Sequence, residues 1–255
     1  MSLKTKVLTA AAFAALLAST AVQAVTYTVG TGATYRPFEY EAPNKEIVGF
    51  DIDLMKAIAK AQGFDVEFVN TTWSTIFPAL NNGDRDIIMS GITITDKRKQ
   101  VVDFSKPYFL AHQLILTDKS VKINKLSDLS KGSVAVVSGS AGDVADSKAF
   151  GKASTRIRRF DNTPLALEEL NQGGVVAAIG DIGVLAFYAR NNPDKHFNMT
   201  RDPAFEEQYF GIAVKKGNQK LIDKINAGLE KVIASGEYNK IYRKWFGTDA
   251  PKLPQ

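Results

Sequence analysis

The chain has 255 residues, 45% of them hydrophobic and 23% charged, as in a globular protein large enough for two lobes. It contains no cysteine, which excludes disulfides, a thiol nucleophile and a lipid-bearing cysteine. The net charge is +5 and falls to +3 without the two lysines of the first 24 residues, an excess too small and scattered to indicate a nucleic-acid partner.

The first 24 residues have the pattern of a secretory signal peptide. Lys4 and Lys6 precede an uncharged stretch over 7–18, and Val22-Gln23-Ala24 supplies small residues before a break. A membrane-spanning helix needs about 20 apolar residues, and this stretch is shorter. We therefore expect cleavage after Ala24 and export of a soluble protein that is not a lipoprotein. The alternative is an uncleaved N-terminal anchor.

Alternating strand and helix patterns predict a βαβ lobe in the first part of the mature chain. Runs rich in β-branched residues and aromatics indicate strands over 26–30, 65–70 and 87–90. Apolar residues at helical spacing indicate helices over 51–62 and 74–81. Strands that alternate with helices form a parallel sheet with crossover helices.

A second series of similar rhythm follows. Its strands are predicted over 133–137, 156–160 and 175–179, and its helices over 142–150, 164–170 and 182–190. Two extended apolar runs, 113–117 and 208–214, bracket the series and are interpreted as hinge strands. Amphipathic helices over 218–234 and 238–246 would then close the chain on the first lobe.

The stretch from Gly91 to Arg98, GITITDKR, places donors for a carboxylate in one short segment. Isoleucine alternates with threonine, which predicts an extended segment with both hydroxyls on one face. Thr95 precedes charged residues and is predicted to cap a helix, which would bring backbone N–H groups near those hydroxyls. Arg98 adds a guanidinium that can bind a carboxylate through two hydrogen bonds. The alternative is a surface loop with a capped helix.

Three further residues are placed to contact a small ligand. Asp181 follows the predicted strand over 175–179, and in open α/β sheets the carboxyl ends of strands face the ligand crevice. Its carboxylate could bind an ammonium or cap the next helix. Tyr35 and Trp73 follow other strand-like segments, and their rings could flank a ligand side chain. The two histidines lie in no triad or metal-ligand spacing, so we predict no catalytic residue, metal or cofactor.

Five passages resemble the extracytoplasmic solute-binding proteins that serve ABC importers of polar amino acids, the family 3 type with glutamine-, histidine- and lysine/arginine/ornithine-binding members. They are 35–40 (YRPFEY), 49–54 (GFDIDL), 91–98, 103–108 (DFSKPY) and 242–247 (YRKWFG). The resemblance covers the whole mature chain, and 49–54 together with 91–98 is highly specific.

The resemblance implies a periplasmic-binding-protein type II architecture, with two Rossmann-like α/β lobes joined by two crossing hinge strands. Residues 25–112 and 208–255 would form the first lobe and 113–207 the second, after the signal peptide over 1–24. The lobes would close over one amino acid.

The resemblance also implies roles for individual residues. The α-carboxylate of the ligand would be bound by Arg98, Thr93, Gly91, Ser140 and Ala141. The α-ammonium would be bound by Asp181 and the carbonyl of Ser90, and the ligand side chain would be flanked by Tyr35 and Trp73. The implied protein is a periplasmic monomer that delivers its ligand to a membrane-embedded ABC permease.

Three positions depart from the relatives. Gly32 stands where many relatives have Asp or Asn, Gly180 where the glutamine binder has His, and Ala141 where some have Thr. A buried cationic side chain without a carboxylate at position 32 is costly, so a neutral ligand is favoured, glutamine first. Glu39 or Asp143 would reopen the cationic option if either lies near the pocket.

Two other functions are possible on the same scaffold. A cyclohexadienyl dehydratase, acting on prephenate or arogenate, would need a glutamate or histidine at the cleft. A sensor domain would be followed by a membrane helix, and we expect none near the end of the chain.

Overall fold

The computed structural model describes residues 24–129 and 132–254. The predicted signal peptide lies outside these ranges except for Ala24. No helix within them combines the length and apolarity needed to cross a membrane. Nor do the same ranges bring three or more His, Cys, Asp or Glu side chains together in a way that could hold a metal ion.

Strands and helices alternate along most of the described chain. The strands are β1 (Thr26–Thr31), β2 (Thr34–Tyr35), β3 (Glu39–Glu41), β4 (Ile47–Val48), β5 (Asp65–Asn70), β6 (Ile87–Ile88), β7 (Val102–Phe104), β8 (Phe109–Ala111), β9 (Gln113–Thr117), β10 (Val134–Val137), β11 (Ile157–Phe160), β12 (Ala177–Asp181), β13 (Asn198–Thr200), β14 (Gln208–Phe210) and β15 (Ala213–Lys215). The helices are α1 (Phe50–Gln62), α2 (Ile76–Asn82), α3 (Asp96–Lys99), α4 (Ala141–Phe150), α5 (Thr163–Asn171), α6 (Ile182–Asn191), α7 (Gln219–Ala234) and α8 (Glu237–Phe246).

Two five-stranded sheets form the two lobes. In the first, ordered β5-β1-β6-β15-β7, β1 runs parallel to β5 and β6, and β15 returns antiparallel to β6 and β7. In the second, ordered β11-β10-β12-β9-β13, β10 runs parallel to β11 and β12, and β9 is antiparallel to β12 and β13. The predicted α/β fold with two lobes is confirmed.

The lobes are joined by the antiparallel pair β8 and β14, which places Phe109 opposite Phe210 and Ala111 opposite Gln208. The interpretation of 113–117 as a hinge strand is wrong, because β9 pairs with β12 and β13 inside the second sheet. All its residues are buried, which is typical of a central strand covered on both faces. The predicted run over 208–214 divides into β14, which pairs with β8, and β15, which belongs to the first sheet.

The first lobe has an aromatic core and the second an aliphatic one. Phe38, Phe50 and Phe109 are buried together in the first core, with the ring centroids of Phe38 and Phe109 4.8 Å apart. The fully buried members of the second-lobe cores are leucine, isoleucine, valine and alanine. Helices α7 and α8 pack on α1 in the first lobe, as predicted. The predicted apolar stripe of α7 lies in the same core: Leu221, Ile225, Leu229 and Val232.

Candidate functional site

A cavity of about 200 Å³ lies between the lobes, where the carboxyl ends of strands from both sheets face each other. Segments that follow β1, β5 and β6 form one wall, and segments that follow β10, β11 and β12 form the other. Every residue predicted as a ligand contact lines it: Tyr35, Trp73, Ser90, Gly91, Thr93, Arg98, Ser140, Ala141 and Asp181. Their roles toward a ligand stay a prediction.

The segment from Gly91 to Arg98 turns back on itself at the first-lobe wall. Thr93 lines the cavity and forms a single antiparallel bridge to Phe210. The hydroxyl of Thr95 accepts a hydrogen bond from the Arg98 N–H at 3.2 Å, so the predicted cap of α3 is confirmed. That hydroxyl is used within the segment and does not reach the cavity, so the expectation that both hydroxyls share the binding face is wrong.

Gly91 allows the Tyr35 ring to lie against the backbone of this wall. Its φ is 53°, in the left-handed region, and a Cβ built on it would lie 2.6 Å from Cε1 of Tyr35. Any larger residue here would displace the ring from the cavity.

Arg98 brings a positive charge into the cavity from the first lobe. Its Nη1 donates to the Thr93 carbonyl at 2.8 Å, and its carbon Cζ lies 5.3 Å from the Trp73 ring centroid and 5.5 Å from that of Phe77. Burial lowers the pKa of Arg98, and the charge of Asp181 opposes this shift. Together with the Gly139 carbonyl of the other lobe, which accepts from Nη2, these contacts fix the guanidinium between two carbonyls and two rings. Its remaining N–H groups are left for a ligand anion.

Asp181 brings a negative charge from the second lobe. It occupies the N-cap position of α6 but makes no capping hydrogen bond with its side chain. Its carboxylate instead accepts from the Tyr35 hydroxyl and from Nε2 of Gln113, the latter at 2.8 Å. Burial raises the pKa of Asp181 to about 6, although Tyr35, Gln113 and Arg98 each favour its charged form.

Two buried acids, Glu39 and Asp51, support the first-lobe wall from behind. Asp51 accepts from the Gly91 N–H at 2.9 Å and from the Tyr108 hydroxyl at 2.8 Å, while the Ser90 hydroxyl donates to Glu39 at 2.7 Å. Glu39 Oε2 and Asp51 Oδ1 have no hydrogen-bond partner within the described residues. Burial and the charge of Asp51 raise the pKa of Glu39 well above its usual range, and burial raises that of Asp51 to about 7. Because the two hydrogen bonds to Asp51 favour its carboxylate, Glu39 holds the proton of the pair.

Contacts across the cavity hold the lobes in a closed arrangement. Trp73 Nε1 donates to the Ser138 carbonyl at 3.0 Å, and Arg98 Nη2 donates to the Gly139 carbonyl at 3.3 Å. Beside the cavity, a Cβ on Gly183 of α6 would lie 2.9 Å from the Phe38 ring of the first lobe. Val184 is buried in the first-lobe core. The start of α6 therefore packs tightly against the opposite lobe.

Ser140 and Ala141 lie where β10 leads into α4. The Ser140 hydroxyl accepts from the Asp143 N–H at 3.2 Å and so caps α4. Since this hydroxyl is occupied, Ser140 and Ala141 can offer a ligand chiefly their backbone.

The sequence interpretation missed several polar residues of the cavity: Asn70, Thr71, Thr72, Asp161, Asn162 and Thr163. Asp161 follows β11 directly, just as Asp181 ends β12, so the same strand-end argument could have found it. The acids named as possible partners of a cationic ligand do not line the cavity. Glu39 is buried against Ser90, and Asp143 pairs with Arg159 at 2.9 Å.

Comparison with known proteins shows which family this chain resembles. The family model of bacterial extracellular solute-binding proteins, family 3, matches residues 27–248. A probable histidine-binding protein of Neisseria gonorrhoeae is 46% identical over 224 residues, 88% of this chain and 84% of the relative. The glutamine-binding protein GlnH of Bacillus subtilis is 39% identical over 225 residues, 86% of this chain and 81% of the relative.

A solved structure has the same fold. The arginine-, lysine-, histidine-binding protein ArtJ of Geobacillus stearothermophilus superposes with a TM-score of 0.85 at 42% identity, over 89% of this chain and 97% of that one. With the family model matched over nearly the whole described chain, this protein belongs to the bacterial extracellular solute-binding proteins of family 3.

Proposed function

We propose that this protein binds one polar L-amino acid between its lobes in the periplasm and delivers it to a membrane-embedded ABC importer. The observation that carries the proposal is the placement of Arg98 and Asp181, opposite charges on opposite lobes, in one cavity. An amino acid carries both charges on adjacent atoms, so it can satisfy both walls only when the lobes are closed.

The first-lobe wall would hold the ligand before closure. Arg98 and Thr93 would bind the α-carboxylate, with Gly91 contributing its backbone. The rings of Tyr35 and Trp73 line the same wall and would flank the side chain. The Ser90 carbonyl on the same wall would contact the α-ammonium. Closure would then bring Asp181 to that ammonium from the second lobe.

The hinge strands support a closing motion. The chain crosses between lobes at β8 and returns at β14, and the proposed lobes are 25–112 with 208–255, and 113–207. Because the ligand contacts both lobes only in the closed state, its differential affinity drives the hinge. The protein would act as a monomer, exported by a cleaved signal peptide.

The enzymatic alternative has little support in the cavity. A dehydratase would need a glutamate or histidine at the cleft, and neither type occurs among the lining residues of the described chain. Gly32 and Gly180 both line the cavity and add no acid or base. Turnover of prephenate or arogenate by the purified protein would overturn the transport proposal.

The names of the relatives support an amino acid without selecting one, since they include histidine, glutamine and arginine. Glutamine, expected from Gly32, stays a prediction. The carboxylate of Asp161, which lines the cavity, weighs against a neutral side chain.

A thermal-shift screen tests the proposed function. The twenty amino acids, ornithine and citrulline are added one at a time to the mature protein, because a ligand that binds only the folded state raises the melting temperature. At least one polar amino acid is expected to do so with the wild type and to fail with Arg98→Ala. A Lys97→Ala variant, altered at the exposed neighbouring lysine, serves as control. A screen in which no amino acid shifts the wild type would contradict the proposal.

A further inference from the structure

The cavity has one more carboxylate than a simple zwitterion needs. The charged residues that line it within the described chain are Arg98, Asp161 and Asp181. On the proposed function, from which this inference starts, Arg98 binds the α-carboxylate and Asp181 the α-ammonium. Asp161 is then left facing the ligand with no opposite charge.

The neighbours of Asp161 do not neutralise it. The two arginines of β11 form ion pairs with other acids, Arg158 with Glu169 and Arg159 with Asp143. Within residues 24–129 and 132–254, Asp161 itself forms no ion pair and accepts no hydrogen bond, although the next residue, Asn162, caps α5. The charge is therefore available to a ligand.

The position of Asp161 fits the far end of a long side chain. Asp181 ends β12 and Asp161 follows β11, and β10 lies between these strands. Neighbouring strands are about 4.8 Å apart, so the two acids are separated by roughly 10 Å. Val137, at the end of β10, lines the cavity between them and offers an apolar surface for a methylene stem. A short side chain would not reach Asp161.

We propose that Asp161 selects a long cationic side chain, that of arginine or lysine, by pairing with its distal charge. Asp161 is exposed at the rim in the absence of ligand, so its charge is hydrated and costs little. Gly32, on which the prediction of a neutral ligand rests, leaves only the first-lobe wall without a carboxylate. The second-lobe wall supplies the carboxylate instead.

Paired ligands that differ in charge test this role. Isothermal titration calorimetry compares L-arginine with L-citrulline, its uncharged isostere, and with L-glutamine, for the wild type, Asp161→Asn and Asp161→Glu. Glu206→Gln, which removes an exposed acid outside the cavity, is the matched control. The wild type and the control are expected to bind arginine at least tenfold more tightly than citrulline. Asp161→Asn is expected to reduce this preference below threefold, and Asp161→Glu to retain most of it.

The possible failures are distinguishable. A wild type that binds glutamine or citrulline as tightly as arginine overturns the role of Asp161 and leaves the proposed function standing. Asp161→Asn that keeps the full preference for arginine does the same. If Asp161→Asn fails to fold, the wild-type comparison of arginine with citrulline still decides. A wild type that binds no amino acid overturns the proposed function, and this inference with it.

Discussion

The two walls of the cavity are built differently, although both stand at the ends of similar sheets. The first-lobe wall is supported by buried groups: Asp51 holds Gly91, Glu39 holds Ser90, and Arg98 is fixed over two rings. The second-lobe wall offers backbone carbonyls from the segment after β10, together with acids placed at the ends of strands. The first-lobe wall is thus fixed by hydrogen bonds within its own lobe, whereas the second-lobe wall contacts the first only when the lobes are closed.

This difference assigns an order to binding. A wall that is held by buried hydrogen bonds loses little conformational entropy when a ligand arrives, so on the proposed function the first contact would be made by the first lobe. The second wall would contribute only after the hinge has moved, and its contacts would then determine how long the ligand stays. Substitutions in the two walls should therefore have unequal effects.

Removal of Arg98 should have the largest effect. Arg98→Ala leaves the ligand carboxylate buried without a charged partner, which is expected to cost at least about 2 kcal/mol, or roughly thirtyfold in affinity. Calorimetry with the best amino acid of the screen measures this, with Lys97→Ala expected to match the wild type. An unchanged affinity in Arg98→Ala would show that Arg98 does not bind the ligand carboxylate.

Substitution of Asp181 should have a smaller effect that depends on pH. Because the ammonium needs the ionised carboxylate and the pKa of Asp181 is about 6, affinity should be full above that pH and fall as the pH drops through it. Asp181→Asn keeps an acceptor oxygen, so we expect about a tenfold loss at neutral pH and no fall below pH 6. Titrations at pH 5 and pH 7.5 test this, and Asp194→Asn, altered at an exposed acid, is the control. Equal pH dependence in wild type and Asp181→Asn would be contrary to the assignment.

Arg98 and Asp181 could be predicted from the sequence, because Arg98 follows a recognisable helix cap and Asp181 lies at a recognisable strand end. Thr95 and Asp181 could be placed by local rules, since a cap and a strand terminus involve only neighbouring residues. The Glu39–Asp51 pair could not, because it joins β3 to α1 and gains its meaning only from burial beneath Gly91. The position of 113–117 inside the second sheet could not be predicted either, because the strands that pair with it, β12 and β13, lie far along the chain.

Replacing Glu39 of the buried acid pair by a neutral residue should make the stability of the first lobe less dependent on pH. Burial and the charge of Asp51 raise the pKa of Glu39 well above its usual range, so the folded protein keeps a proton on Glu39 that the unfolded chain loses near pH 4. The contribution of this proton to stability is full below that pH and is lost as the pH rises towards the raised pKa that Glu39 has in the folded protein. Glu39→Gln needs no such proton and can still accept from Ser90. We expect it to exceed the wild type by about 1 kcal/mol or more in free energy of unfolding at pH 8, and to show a flatter profile between pH 5 and pH 8.

Urea denaturation across this pH range measures the effect of Glu39→Gln. Glu41→Gln, two positions along β3 and exposed, should follow the wild-type profile. If Glu39→Gln shows the same slope as the wild type, the pair does not share a proton in the folded state.

A substitution at the lobe contact should have the smallest effect. Gly183→Ala places a Cβ within 2.9 Å of the Phe38 ring, which resists closure without touching the ligand. We expect about threefold weaker affinity, with unchanged discrimination among amino acids, because both walls keep their groups. Small-angle scattering of the liganded variant should show a larger radius of gyration than that of the liganded wild type. Tighter binding in Gly183→Ala would contradict the tight packing of Gly183 against the Phe38 ring.

Binding of the α-carboxylate by Arg98 is tested most directly by one calorimetric comparison. The best amino acid of the screen and its C-terminal amide, which lacks the negative charge, are titrated into wild type and Arg98→Ala. We predict that amidation weakens binding to the wild type at least about thirtyfold and to Arg98→Ala by less than about threefold. Equal losses in the two proteins would show that the carboxylate is bound elsewhere.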